Sequence, residues 1–266
     1  MPDMLRPIVS GMVRRLWPWL GLLVMVASLA WLQIYPDTWK PTAPSAMAPA
    51  PATISLVVLD PGHGGQDSGV MAAGMLEKDL TLDVARRVER LVRLKGLPAL
   101  LTREGDDYVS LASRAALANR EDDCVFVSIH FNEGKNPDAT GIETYCASHV
   151  ASRFPAVPSW LPFLQQTPEP PDPESQSLAG FIQEAMVSQT QAFNRGTKVE
   201  QFFVIANVQH PAVLVEGGFL TNKAEVSKLG LSEYREQIAT AITAGITRYR
   251  DVMRQKLALA ATAPGD

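Results

Sequence analysis

Ile54-Ser55-Leu56-Val57-Val58-Leu59-Asp60-Pro61-Gly62-His63-Gly64-Gly65-Gln66-Asp67-Ser68-Gly69 sets a short apolar run directly before a glycine-rich turn. Residues 54–59 read as a strand, so His63 falls on a tight loop at its carboxyl end, where open α/β sheets collect ligands and catalytic groups. Glycines on both sides leave the imidazole uncrowded and let the backbone turn sharply. Downstream, Glu77 opens a helical pattern in which Leu80, Val84, Val88, Leu91 and Val92 recur at helical spacing, and Gly96 supplies the stop. The arginines of that helix (Arg86, Arg87, Arg90, Arg93) lie mostly off the stripe and read as a solvated face. Val125–Ile129 is continuously apolar, as for a central strand covered on both faces, and ends in His130. Ala212–Val215 ends in Glu216.

The remaining elements fill in around these. Pro98–Thr102, Gly141–Cys146 and Gln201–Ile205 read as strands; Leu111–Asn119, Leu178–Ala192 and about 233–250 read as helices. Asn222 with Glu225 three residues later resembles a capping box opening another short helix. Strands alternating with helices predict an α/β fold: a three-layer, mostly parallel mixed sheet of about six strands with helices on both faces. That domain is expected over 54–250, with 251–266 as a frayed tail.

The chain has 266 residues, and its beginning is a different physical object from the rest. Residues 1–15 form a short basic segment with Arg6, Arg14 and Arg15. Residues 16–35 carry no charge and are long enough to span a hydrocarbon core of ~30 Å as a helix. The basic flank predicts a cytoplasmic N-terminus and a translocated domain. A cleaved signal peptide with Ser28-Leu29-Ala30 as its small-residue site is the other reading. Residues 36–53, rich in Pro and Ala, read as an extended spacer. The formal net charge of −4 gives no basic face for nucleic acid. Cys124 and Cys146 match no zinc spacing; they are two small core residues or, if their strands pair antiparallel, thiols that face each other.

Two histidines and two glutamates at the ends of regular elements point to a catalytic zinc hydrolase. Such a site takes three protein ligands of the His, His, Glu type and leaves one position to water; His63, Glu77 and His130 could supply them. Glu216, followed by Gly217-Gly218, fits the separate carboxylate that moves a proton from water to the leaving nitrogen. Each residue also has a plainer reading. A histidine in a glycine loop can be structural, a glutamate at a helix start can serve the dipole, and a glutamate after a strand can be surface. No Lys-Ser/Thr follows the glycines as a phosphate loop requires, and no Gly-x-Ser-x-Gly elbow occurs.

Taken together, the motifs resemble a known family. Asp60-Pro61-Gly62-His63-Gly64-Gly65-x-Asp67-x-Gly69 resembles the opening motif of the zinc-dependent N-acetylmuramoyl-L-alanine amidases, and Glu77-Lys78-Asp79-Leu80 the second. Leu101-Thr102-Arg103, Ser110-Leu111-x-x-Arg114 and Ala118-Asn119 are similar to the third, and Ser128-Ile129-His130-x-Asn132 with Gly141-Ile142-Glu143 to the fourth. Pro211-Ala212-Val213-Leu214-Val215-Glu216-x-Gly218-Phe219 closes the series in the family's order. The resemblance implies one zinc per chain on His63, Glu77 and His130, with Glu216 as the catalytic carboxylate. It implies hydrolysis of the amide between N-acetylmuramic acid and L-alanine in peptidoglycan, outside the cytoplasm, by a domain held at the inner membrane or secreted. Asn132 and Arg114 are candidates for shaping the substrate site, with Arg114 equally an ion-pair partner.

Residues 147–175 depart from that pattern. They hold seven of the prolines together with Trp160, Leu161, Phe163 and Leu164, and read as a Pro-rich insertion that serves as an apolar lid or docks a protein activator. Two other readings stay open: a zinc amidase acting on soluble muropeptides, and a non-catalytic wall-binding domain, which would expect a lost ligand or a replaced Glu216.

Overall fold

The computed structural model divides the chain at Ala50/Pro51 into two units and describes residues 54–148 and 171–262, with Met25 alone before them. Apart from Met25, the expected membrane segment, the spacer and residues 149–170 of the insertion, His149 included, lie outside the described residues. Among the described residues no helix is long and apolar enough to cross a membrane.

Six strands form one sheet. In chain order the elements are β1 (Leu56–Pro61), a small hairpin of β2 (Met71–Ala72) and β3 (Met75–Leu76), α1 (Glu77–Leu94), β4 (Ala99–Leu101), α2 (Leu111–Ala118) and β5 (Cys124–Asn132). Then come β6 (Ile142–Cys146), α3 (Pro173–Thr190), β7 (Asn194–Val199), α4 (Phe203–Ala206), β8 (Ala212–Phe219), α5 (Lys223–Leu229) and α6 (Ser232–Thr262). The sheet order is β4-β1-β5-β8-β6-β7. β4, β1, β5 and β8 run parallel; β6 is antiparallel to β8, and β7 parallel to β6. This is the mixed, mostly parallel sheet expected from the pattern.

Alternating side chains divide the core between the two faces. Val57, Leu59, Val125 and Val127 pack under α1, α3 and α6, while Val58 and Phe126 pack against α2 and α4. α1 buries Leu80, Val84, Val88 and Val92, and Gly96 with φ +74° ends its backbone. Its arginines leave the stripe, as expected, but two of them join α1 to α6. Arg87 meets Glu236 at 2.7 Å and Asp83 at 2.9 Å, Asp83 meets Arg235 at 2.6 Å, and Arg90 pairs with Glu236. In α5, Asn222 caps the helix by accepting from Ala224 N and Glu225 N. Glu225 does not close the box; its carboxylate bonds Phe219 N, Gly141 N and Thr140 instead.

Three expectations change, and the two readings of the cysteines are decided for small core residues. Gln201–Ile205 is not a strand: Phe203–Ala206 is one helical turn that buries Val204 and Ile205, and the strand lies earlier, at Asn194–Val199. A short apolar run cannot distinguish strand from helix, and a polar edge strand carries no apolar signal. The last helix does not stop near 250, because α6 continues to Thr262 through Ala-, Leu-, Lys- and Arg-rich sequence with high helix propensity. Cys124 and Cys146 are free and buried, and they belong to opposite faces of the sheet, with β8 between their strands. Finally, the insertion narrows: Ala147 and Ser148 are buried, and α3 begins at Pro173 with Asp172 capping Ser175 N at 2.7 Å. Its two flanks meet through Asp172 N and Ala147 O, at the end of β6 away from Glu216.

Candidate active site

The carboxyl ends of β1, β5 and β8 lie side by side, and each delivers one side chain. β1 passes into Gly62-His63-Gly64, where His63 itself adopts φ +61°, a conformation uncommon for a side chain with a Cβ and one that surrounding structure must hold. Two buried arginines hold it. Arg114 donates to Asp60 at 2.7 Å and to the carbonyls of Pro61 and His63, each at 2.6 Å. Arg103 donates to the carbonyls of Pro61 (3.1 Å), Gly62 (2.9 Å) and Lys78 (2.8 Å). Asp60, 1 % exposed, also accepts from Thr102 at 2.6 Å and Ser128 at 2.7 Å. Arg114 is therefore buried beneath the loop and holds that backbone. Of its two sequence readings the ion pair is the one formed.

Glu77 is the first residue of α1 and is 3 % exposed. Its Oε2 accepts from Val70 N at 3.0 Å, and its Oε1 accepts from Phe131 N at 3.1 Å. The same Oε1 lies 3.1 Å from His63 Nε2 and 3.0 Å from His130 Nδ1. The two imidazoles stand edge to face, 4.9 Å between centroids. Burial alone would raise the Glu77 carboxyl, but the two histidines outweigh it and hold the group well below the usual carboxylate range. Burial works against a charged His63, whereas Glu77 and Asp67 raise its pKa above the usual value. Asp67 Oδ2 lies 2.9 Å from His63 Nδ1 without a hydrogen bond's alignment; such a carboxylate orients a ligand histidine from behind.

His63, Glu77 and His130 each offer one ligand atom, all within 4.8 Å of one another. A tetrahedral ion with bonds of ~2.0–2.1 Å keeps its ligands about 3.3 Å apart, close to the two separations measured at Glu77 Oε1. Two imidazoles and one carboxylate are a zinc-type donor set that leaves a +1 charge on a divalent ion. The glycines are part of the fit. A Cβ on Gly62 would stand 2.3 Å from the His130 ring, and one on Gly69 2.5 Å from Glu77 Oε2. Gly62→Ala should therefore displace His130 and cut zinc affinity by at least about tenfold, measured by competition with a chromophoric chelator; affinity equal to wild type would show that the packing is not needed.

Glu216 sits on β8 opposite His130 in the parallel register with β5, and opposite Glu143 in the antiparallel register with β6. The residue is half-buried, yet its Oε2 is fully buried with no hydrogen-bond partner among the described residues. Burial first, then the charges of Glu77 and Glu143, push its carboxyl well above the usual range. A cleft of about 620 Å³ opens beside His63 and Glu77, between Met71 of the small hairpin and the loop carrying Glu133, Lys135 and Pro137. Like Glu216 and His130, Asn132 stands outside its lining. Its Nδ2 donates to Glu143 Oε1 at 2.5 Å from a bulge in β5. His210 is remote, just before β8, and only partly buried.

Sequence reasoning quoted Glu143 within a motif and assigned it nothing, and it missed Arg195 and Lys198. In the fold Glu143 is 3 % exposed and accepts from Tyr145 OH at 2.6 Å, Arg195 Nε at 2.7 Å and Lys198 Nζ at 2.5 Å. Burial alone would raise its pKa, but Lys198, Tyr145 and Arg195 together hold the carboxyl at about 2. The one signal in the chain was two cations three apart flanking Gly196.

A family model described as N-acetylmuramoyl-L-alanine amidase matches residues 57–248. The chain is 31% identical to N-acetylmuramoyl-L-alanine amidase AmiA of Escherichia coli, a match covering 73% of this chain and 75% of that one. It superposes on N-acetylmuramoyl-L-alanine amidase AmiC2 of Nostoc punctiforme with a TM-score of 0.63 at 33% identity, over 75% of this chain and 99% of the other. The CwlD amidase of Clostridioides difficile, solved in complex with the GerS lipoprotein, gives 0.64 at 26% identity, over 74% and 99% of the two chains.

Proposed function

The chain belongs to the N-acetylmuramoyl-L-alanine amidase family, and from that premise we propose a zinc-dependent hydrolysis of the muramoyl–L-alanine amide in peptidoglycan, with His63, Glu77 and His130 holding one zinc and Glu216 moving the proton. The observation that carries it is the convergence of three ligand atoms within 4.8 Å beside a carboxylate whose buried Oε2 has no partner. Zinc in such a site supplies a Lewis acid and an acidified water.

The chain's own groups do the rest. Glu216 takes a proton from water and returns it to the departing alanine nitrogen. Its burial favours the proton-holding form, while a cation at the neighbouring cluster favours the ionised one, and general catalysis works best with the two states in balance. Gly217 lets β8 pack on the Phe131 ring, which a Cβ there would approach to 2.8 Å, and Asp67 orients His63. Lys135 and Met71 border the cleft in which the glycan side of the bond would lie.

Action on the cell wall places the domain outside the cytoplasm. Residues 16–35 would anchor it in the membrane or direct its secretion, and 36–53 would space it from the bilayer. Residues 147–175 would engage a protein activator.

The test is peptide release from purified peptidoglycan by the full chain in detergent, with products identified by mass spectrometry. Expected are peptides with a free L-alanine amine, lost with a chelator and restored by one equivalent of zinc. Release that survives metal removal would overturn the zinc reading. Release of sugars, or of peptides cut elsewhere, would overturn the bond assignment.

A further inference from the structure

The Glu143 cluster holds one positive charge more than it needs. A single carboxylate, 3 % exposed, is paired with two cations whose side chains are 31 % (Arg195) and 38 % (Lys198) exposed. The carboxylate is thus beneath and the cations above. Arg195 spends Nε on Glu143 and a longer 3.4 Å contact from Nη1 on Thr140 O, which leaves Nη2 without a bond among the described residues. Its guanidinium lies 4.9 Å over the ring of Phe219, at the end of β8 that carries Glu216. Among the described residues Lys198 Nζ bonds Glu143 as its one hydrogen-bond acceptor and lies 5.6 Å from the Tyr145 ring centroid, so it keeps protons for a further acceptor. Charged donors held over a buried partner form strong, directional bonds to a carboxylate.

The position of this pair follows from strand register. Glu143 faces Glu216 directly across β6 and β8, and such pairs sit about 4.5–5.5 Å apart. The metal-ligand His130 flanks Glu216 on its other side, from β5. Under the proposed reading, on which this inference rests, Glu216 delivers a proton to the leaving nitrogen. The peptide then departs on the side of Glu216 away from the metal, toward Arg195 and Lys198. Its next group in reach is the residue that follows alanine.

We infer that Arg195 and Lys198 form a carboxylate-binding subsite for the departing peptide, which selects stem peptides whose second residue carries a free carboxylate over those in which it is amidated. The two cations fix the peptide side of the bond while the cleft beside Met71 and Lys135 takes the other side.

Two synthetic N-acetylmuramoyl peptides that differ only in that carboxylate and its carboxamide decide the matter. The zinc-loaded full chain should cleave the acid with about tenfold higher kcat/KM. Arg195→Gln and Lys198→Gln should each lower kcat/KM on the acid more than on the amide and shrink the preference to about twofold or less, and Lys198→Arg should restore the preference. Because the readout is a ratio within one preparation, a partly unfolded variant does not distort it. An equal fall on both substrates, or a wild type indifferent to amidation, would overturn the subsite. If the wild type cleaves neither substrate, the amidase reading fails instead. The subsite is then decided by calorimetry with the two free peptides, where equal affinity for acid and amide overturns it and tighter binding of the acid, lost in both Gln variants, supports it.

Discussion

Glu216→Gln should reduce the rate of peptide release by about 10²- to 10⁴-fold, the span over which positioned general acid–base groups act, while the protein still binds one zinc. The substitution keeps the shape of the side chain and removes its ability to accept and return a proton. Glu216 is outside the group of ligand atoms formed by His63, Glu77 and His130, so metal content measured on the purified variant should equal that of wild type. Stability should be no lower and is expected to rise. A buried carboxylate oxygen without a partner, next to the charges of Glu77 and Glu143, destabilises the folded chain, and a neutral amide relieves that cost. Full occupancy by zinc with activity within tenfold of wild type would assign the proton transfer to another group.

Arg114→Met should be the most damaging single change to the fold outside the central core. Arg114 and Asp60 are 3 % and 1 % exposed, and their contact is 2.7 Å. Losing one partner of a buried pair costs about 3–5 kcal/mol, because the other charge stays buried. Asp60 would keep only the hydroxyls of Thr102 and Ser128, the carbonyl of His63 would lose its donor, and that of Pro61 would keep Arg103 alone. For a domain of this size each kcal/mol is worth roughly 2–4 °C in Tm, so a fall of roughly 6–20 °C is expected by calorimetry. Arg114→Lys should recover little of it, since one ammonium cannot span the four acceptors that the planar guanidinium reaches, the carbonyl of Val109 among them. Asp60→Asn combined with Arg114→Met should cost less than the two single changes summed, as coupled partners do. Additive costs would show that the pair is not a unit. Zinc affinity should fall with Arg114, because the φ +61° of His63 rests on that bond.

The legible part of the fold was the part whose signal is local. β1, β5 and β8 are apolar runs because they are central strands covered on both sides, and the residue after each run is visible in the chain. α1 shows its stripe and its closing glycine, and Asn222 shows its cap. The polar edge strand β7 and the single turn α4 were misread: edge strands need no apolar face, and one helical turn has too few residues to show a period. Arg114 could be read either as a site residue or as a scaffold residue until its depth was known, and depth is a property of packing.

The chain alone determined which residues could carry the chemistry: two imidazoles, a helix-leading glutamate and a strand-ending glutamate, each in a recognisable local setting. The tertiary structure decided how they and their neighbours meet. Parallel crossovers bring the ends of β1, β5 and β8 side by side, so residues far apart in sequence share one oxygen of Glu77. The clearest case is β7. Residues three apart on a strand point to opposite faces, so sequence spacing separates Arg195 from Lys198. The register between β6 and β7 shifts between Ile142 and Thr144, where Gly196 adopts φ +80°, and the extra residue restores the parity. Both cations then fall on Glu143. A bulge exists only relative to a partner strand, so no reading of one segment by itself could have placed them there.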